Sequence, residues 1–182
     1  EGFPENSCSG IVTSPEGYLW IGTFGGLLRF NGSEFKPWAP PEAPSLRSAV
    51  IVNMYKDSRQ RTWISTTDGL VMNDGPRWRT FQKSEGWDDP SDFVRSYAED
   101  RNGNLVLGRY GGTIVRFDGE RFHPMPTPDA TGGAQCAFDR SGSLYVVRGS
   151  YAGRWVDGEW KTIETGSSPE DQVLGSGQDR GG

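Results

Sequence analysis

The chain has 182 residues, 34% of them hydrophobic and 12% aromatic, which is enough apolar material for a packed core. Its 26 Gly and 12 Pro count against a helical protein, because both residues weaken helix interiors. A net charge of -5 excludes the Lys/Arg-rich surface that nucleic-acid binders use to displace counterions, and no run of about 18 apolar residues offers a membrane span.

In chain order, "EGFPENS" reads as a connector into a first strand, "SCSGIVTS". An acidic turn follows, then "LWIGT" as a second strand, "LLRF" as a third and, after "NG", "EFKPW" as a fourth. Val, Ile, Trp, Tyr and Phe dominate these runs, as suits a pleated, half-buried surface. The same sentence is then repeated. "SPEGYLWIGT" (14–23) aligns with "SRQRTWIST" (58–66), "DRNGNLVLGR" (100–109) and "DRSGSLYVVR" (139–148). The turn position falls on Gly17, Gln60, Gly103, Gly142 and Gly182, spaced 43, 43, 39 and 40 residues apart. Asn31, Asp74, Asp118 and Asp157 each precede a glycine between the third and fourth strands, where Asn-Gly and Asp-Gly suit a tight hairpin.

Four short antiparallel strands every 40 or so residues are the signature of a β-propeller blade, which stacks its apolar faces on its neighbours. The fold class expected is all-β, with blades at about 1–46, 47–90, 91–131 and 132–171 and a partial fifth at 172–182. This arrangement reads as a fragment of a larger propeller of about seven blades. Trp20 and Trp63 are expected in the layers between blades, with Val106 and Tyr145 substituting in later units. Cys8 and Cys136 lie in apolar runs and read as small core residues.

The units resemble the two-component regulator propeller repeat, whose motif "EGYLWIGTFGGLLRFNG" (16–32) matches nearly throughout. The linker "EGFPENSC" is similar to the family's as well, while units two and four depart from the pattern at Gln60 and at "YVV" (145–147). The resemblance implies a periplasmic or extracellular sensor portion of a membrane-anchored hybrid histidine kinase. It also implies a small-molecule or oligosaccharide ligand, and as partners the further blades and downstream signalling domains of the parent chain.

In this strand order, first-strand entrances and turns between second and third strands share one face. That face holds Phe24, Asp68, Arg109, Tyr110 and Tyr151, with Arg47 and Asp92 at first-strand entrances and Arg95 within a first strand. Phe24, Asp68, Arg109, Tyr110, Tyr151 and Arg95 are the candidate ligand-binding residues, since rings beside charged groups suit sugars. No cofactor, metal, nucleic acid or membrane contact is expected of this segment, and no catalytic residue. His123 is the sole histidine and reads as a solvated edge residue. "EDRNGN" (99–104) resembles a calcium loop without its acidic residue at position twelve. Two other readings stand beside the sensor. One is a lyase or sialidase-like enzyme with its catalytic residues elsewhere, since "DSRQRTW" (57–63) resembles an Asp-box turn with the aspartate displaced by one. The other is a structural, protein-binding ring.

Overall fold

The structure is a computed structural model that describes residues 6–14 and 16–163. The expected partial fifth unit at 172–182 lies outside the described residues. The described residues form four antiparallel sheets of four strands, each in simple sequential order, and contain no α-helix. The first sheet comprises β1 (Gly10–Thr13), β2 (Leu19–Thr23), β3 (Gly26–Phe30) and β4 (Phe35–Pro37). The second comprises β5 (Ile51–Lys56), β6 (Thr62–Thr66), β7 (Gly69–Asp74) and β8 (Arg77–Thr80). The third runs through β9 (Val94–Glu99), β10 (Leu105–Arg109), β11 (Ile114–Phe117) and β12 (Phe122–Met125). The fourth runs through β13 (Ala134–Phe138), β14 (Leu144–Arg148), β15 (Tyr151–Val156) and β16 (Glu159–Thr162). The sheets are grouped in two compact units, one through Phe93 and one from Val94.

In the first unit the two sheets enclose Val12, Trp20, Leu27, Leu46, Ile51, Met54, Ile64 and Val71. Glycines permit the approach: a Cβ on Gly22 would lie 2.6 Å from Ile51 Cγ2, and one on Gly10 2.9 Å from Met54 Cβ. Trp20 is 2% exposed, stacks on Trp38 at 5.2 Å and meets Trp78 at 5.1 Å, so it fills the layer between these blades as expected. Trp63 is fully buried on the sheet face opposite Ile64, where it stacks on Phe81 at 5.7 Å. The sequence reading contains no helix, yet single 3₁₀ turns occupy two connectors, Pro44–Arg47 and Lys83–Glu85. The first buries Leu46 in the core, and the second is closed by the reciprocal caps of Gln82 and Glu85.

The second unit packs smaller side chains. Ala98, Val106, Ile114, Ala134, Cys136, Leu144 and Val146 form its core, with Met125, Phe138, Tyr151, Trp155 and Trp160 packed against them. A Cβ on Gly108 would lie 2.3 Å from the Ala134 carbonyl oxygen, and the Cys136 N–H donates to Ser96 Oγ at 2.8 Å. Val106 takes the interlayer place expected of it. Tyr145 is half-buried and donates its hydroxyl to Asp139 Oδ2 at 3.1 Å. Both cysteines are free. Cys136 is a core residue whose thiol burial pushes up to about 12. Cys8 corrects the expectation: it is exposed, because it precedes β1 in the entering chain.

The acidic turns repeat in detail. Ser14, Asp57, Asp100 and Asp139 each accept, at the carbonyl, the N–H of the residue three positions on, and donate N–H to the carbonyl four positions on. Gln60 holds the turn at φ +64 where the other units place glycine. The turns between third and fourth strands are not alike, which corrects the single hairpin type expected. Gly75-Pro76 and Asp157-Gly158 form two-residue connections, closed by the pairs Asp74 with Arg77 and Val156 with Glu159. Asn31 and Asp118 begin four-residue loops and act through their side chains, accepting the N–H groups of Ser33 and Glu34, and of Glu120 and Arg121.

Candidate functional site

At one end of the first unit's sheets, the turn between β2 and β3 lies beside the chain entering β1, since the Phe24 N–H donates to Ser7 Oγ at 3.0 Å. Phe24 is 62% exposed there. Gly26 is pressed so closely on the Arg47 carbonyl that a Cβ would sit 2.3 Å from its oxygen. Thr23 and Thr66 end β2 and β6 inside the protein and donate to the carbonyls of Gly26 and Gly69, at 2.8 and 3.0 Å. Asp68 is exposed in the corresponding turn, and its N–H donates to Thr66 Oγ1.

The same end of the second unit holds the other four predicted residues. The Arg95 guanidinium lies 5.3 Å from the centroid of the Tyr110 ring, and Tyr110 is 46% exposed. Cation and ring therefore form a cation–π pair. Arg109 is only 1% exposed at the end of β10, as Thr23 and Thr66 are buried at the ends of β2 and β6, so it supports this turn from within. Tyr151 folds back along β15 over Gly153, where a Cβ would lie 2.5 Å from its hydroxyl, and packs on the apolar core. Phe24 and Asp68 thus belong to one unit, and Arg95, Arg109, Tyr110 and Tyr151 to the other.

Sequence reasoning missed Arg148. Its Nε donates to the Gly132 carbonyl at 2.9 Å and its Nη1 to that of Pro128 at 2.5 Å, while the guanidinium packs on Gly112. The available signal was positional: Arg148 and Arg109 end second strands where Thr23 and Thr66 do so in the first unit.

The opposite end of the sheets, at the acidic turns, carries a cleft in each unit that the sequence did not reveal. In the first unit it measures about 230 Å³ and is lined by Tyr18, Trp20, Arg29, Trp38 and Trp78 among others. In the second it measures about 620 Å³, with Asn104, Val106, Arg116, Met125, Phe138 and Trp155 in its walls. The positions correspond, because Arg29 pairs with Trp20 and Lys36 across its strands as Arg116 pairs with Val106 and His123. His123 is exposed as expected, but it lines the larger cleft and its Nε2 lies 2.5 Å from Asp118 Oδ2. The N–H groups of Arg121 and Glu120, and then His123, hold the Asp118 carboxyl well below the usual carboxylate range.

The carboxylates of the acidic turns serve the turns themselves. Asp100 accepts from the N–H groups of Asn102 and Asn104 and from Asn104 Nδ2, which occupies the oxygens a calcium ion would need. Asp57 is buried and accepts from Arg61 Nε at 2.6 Å and Trp63 Nε1 at 2.9 Å, a structural role for the turn that resembles an Asp box. No group of three or more potential ligands placed to hold a metal occurs among the described residues, and no helix there is long and apolar enough to cross a membrane.

The fold is that of several extracellular propellers. The whole chain superposes on 26% of the extracellular domain of a protein described as a hybrid two-component system from B. thetaiotaomicron, with a TM-score of 0.73 at 18% identity. A second such domain from that organism, described as part of a one-component system, is matched over 92% of this chain and 24% of its own length, with a TM-score of 0.64 at 17% identity. The structure of Ycf48 bound to D1 peptide matches over 91% of this chain and 54% of that one, with a TM-score of 0.56 at 13% identity. In sequence, the photosystem II assembly lipoprotein Ycf48 of Synechococcus sp. (strain RCC307) is 28% identical over 108 residues, 58% of this chain and 32% of the relative. No family model matches. The chain therefore spans about a third of that relative and about a quarter of the two-component domains.

Proposed function

We propose that this chain is part of an extracellular ligand-sensing propeller in a two-component signalling protein. The observation that supports it most is the superposition of the whole chain on 26% of the two-component extracellular domain, in a chain whose "EGYLWIGTFGGLLRFNG" resembles the regulator repeat. In this reading the parent protein is anchored in the membrane, with further blades and a histidine kinase as its signalling partners. The chain itself has no catalytic role. Tyr110 and Arg95 contact the ligand, an oligosaccharide whose apolar ring face lies on Tyr110 and whose hydroxyls bond Arg95. The test is transcription of the regulon in the source bacterium grown on a panel of oligosaccharides. Deleting the blades, or Tyr110→Ala with Arg95→Ala, is expected to abolish induction by one of them; undiminished induction by every sugar rejects the reading.

A protein-binding propeller is the second reading, supported by the sequence relative that assembles photosystem II and the peptide-bound structure of its kind. It predicts capture of an extended peptide and no sugar response.

A further inference from the structure

We propose that the cleft between the third and fourth blades binds an acidic sugar, a pyranose carrying a carboxylate. Its volume of about 620 Å³ lies within the roughly 300–1,000 Å³ usual for small-molecule sites. Its origin is visible by comparison with the first unit. There Arg29 stacks 4.6 Å from the centroid of the Tyr18 ring, and Trp20 and Trp38 fill the space beside it. In the second unit those three aromatic positions are Asn104, Val106 and Met125, so the space opens and the equivalent arginine, Arg116, loses the ring it would lie on.

Charge selects the ligand. The Arg116 guanidinium is exposed in the cleft wall and makes no hydrogen bond, ion pair or ring contact among the described residues. The other charged groups of the cleft are engaged: His123 by Asp118, and Asp100 by the donors of its own turn. Asp100 keeps its charge, since these donors are neutral amides, so the ligand's carboxylate is assigned to Arg116, a planar cation with the fork geometry that matches it. Trp155 and Phe138 supply an apolar wall for a ring face, and Ser143 a hydroxyl at the rim. The inference needs binding alone and stands whether or not the chain is a sensor.

The test is isothermal titration calorimetry of the complete propeller that contains this chain with cellobiouronic acid and with cellobiose, which differ by one carboxylate. The acidic disaccharide is expected to bind at least tenfold more tightly. Arg116→Gln should remove that difference without moving the unfolding midpoint, since the side chain is exposed. Val106→Trp, which restores the first unit's filler, should abolish binding of both sugars; if that variant fails to fold, Arg116→Gln decides. Equal affinities for the two sugars, binding of neither, or an undiminished preference in Arg116→Gln overturns the proposal. So does tighter binding of a short peptide ending in a free carboxylate, such as acetyl-Ser-Gly-Phe.

Discussion

The two units repeat one strand order with different interiors. The first closes its second-strand ends with buried threonines and fills its blade layer with three tryptophans. The second ends the equivalent strands with Arg109 and Arg148 and builds its layer from alanine, valine and Cys136. The backbone repeat therefore sets where side chains meet, and their identity decides whether the meeting place is closed or open. Tryptophans at positions 20 and 38 leave about 230 Å³; Val106 and Met125 leave about 620 Å³.

The largest test of this contrast is Trp20→Ala, expected to cost about 4–5 kcal/mol because a buried aromatic leaves a cavity between two other rings, against about 2 kcal/mol for Val106→Ala. Urea unfolding of both variants measures it, and equal losses would break the comparison. Next, Asp57→Ala removes the buried carboxylate to which Arg61 Nε and Trp63 Nε1 donate and should cost about 3–4 kcal/mol. The corresponding Asp100→Ala, in an exposed turn, should cost about 1 kcal/mol.

Smaller effects come from the turn position itself. Gly142→Ala places a side chain at φ +87 in open space, so only backbone strain counts, about 1–2 kcal/mol of destabilisation. Gln60→Gly relieves the same strain at φ +64 and should raise the thermal midpoint by a few degrees, corresponding to about 0.5–1 kcal/mol.

The smallest effect is in acid. The Ser141 hydroxyl, then the Ser143 N–H and the Tyr145 hydroxyl, hold Asp139 down to about 2. Its folded value is depressed, so its contribution is complete above the unfolded value of about 4 and is lost as pH falls toward 2. A carboxyl-detected NMR titration should place the Asp139 midpoint near 2 and that of the Ser141→Ala variant closer to 4; coincident midpoints would remove the hydroxyl from the account.

The repeat was legible because each blade carries its own instructions locally. Strand residues alternate, a glycine or its substitute holds the turn, and the period announces the stacking. Trp20 could be placed for the same reason. The surroundings of the candidate residues were legible only in part. The Arg95–Tyr110 pair meets at the turn after β10, but the burial of Arg109 depends on what packs around the end of that strand, which spacing does not reveal. The resemblance between the four Asn/Asp-Gly pairs concealed two loop lengths, because an Asx side chain can cap a wider loop as readily as it accepts a positive φ.

Residue order alone thus determined the sheets and their number among the described residues, since these depend on near neighbours in the chain. Tertiary structure decided the cleft. Asn104, Val106, Arg116 and Met125 are spread over more than 20 residues, and only strand pairing sets them around one space facing Phe138 and Trp155 of the next sheet. Whether that space is filled depends on side-chain volumes contributed from two sheets together, a sum that no single stretch of sequence contains.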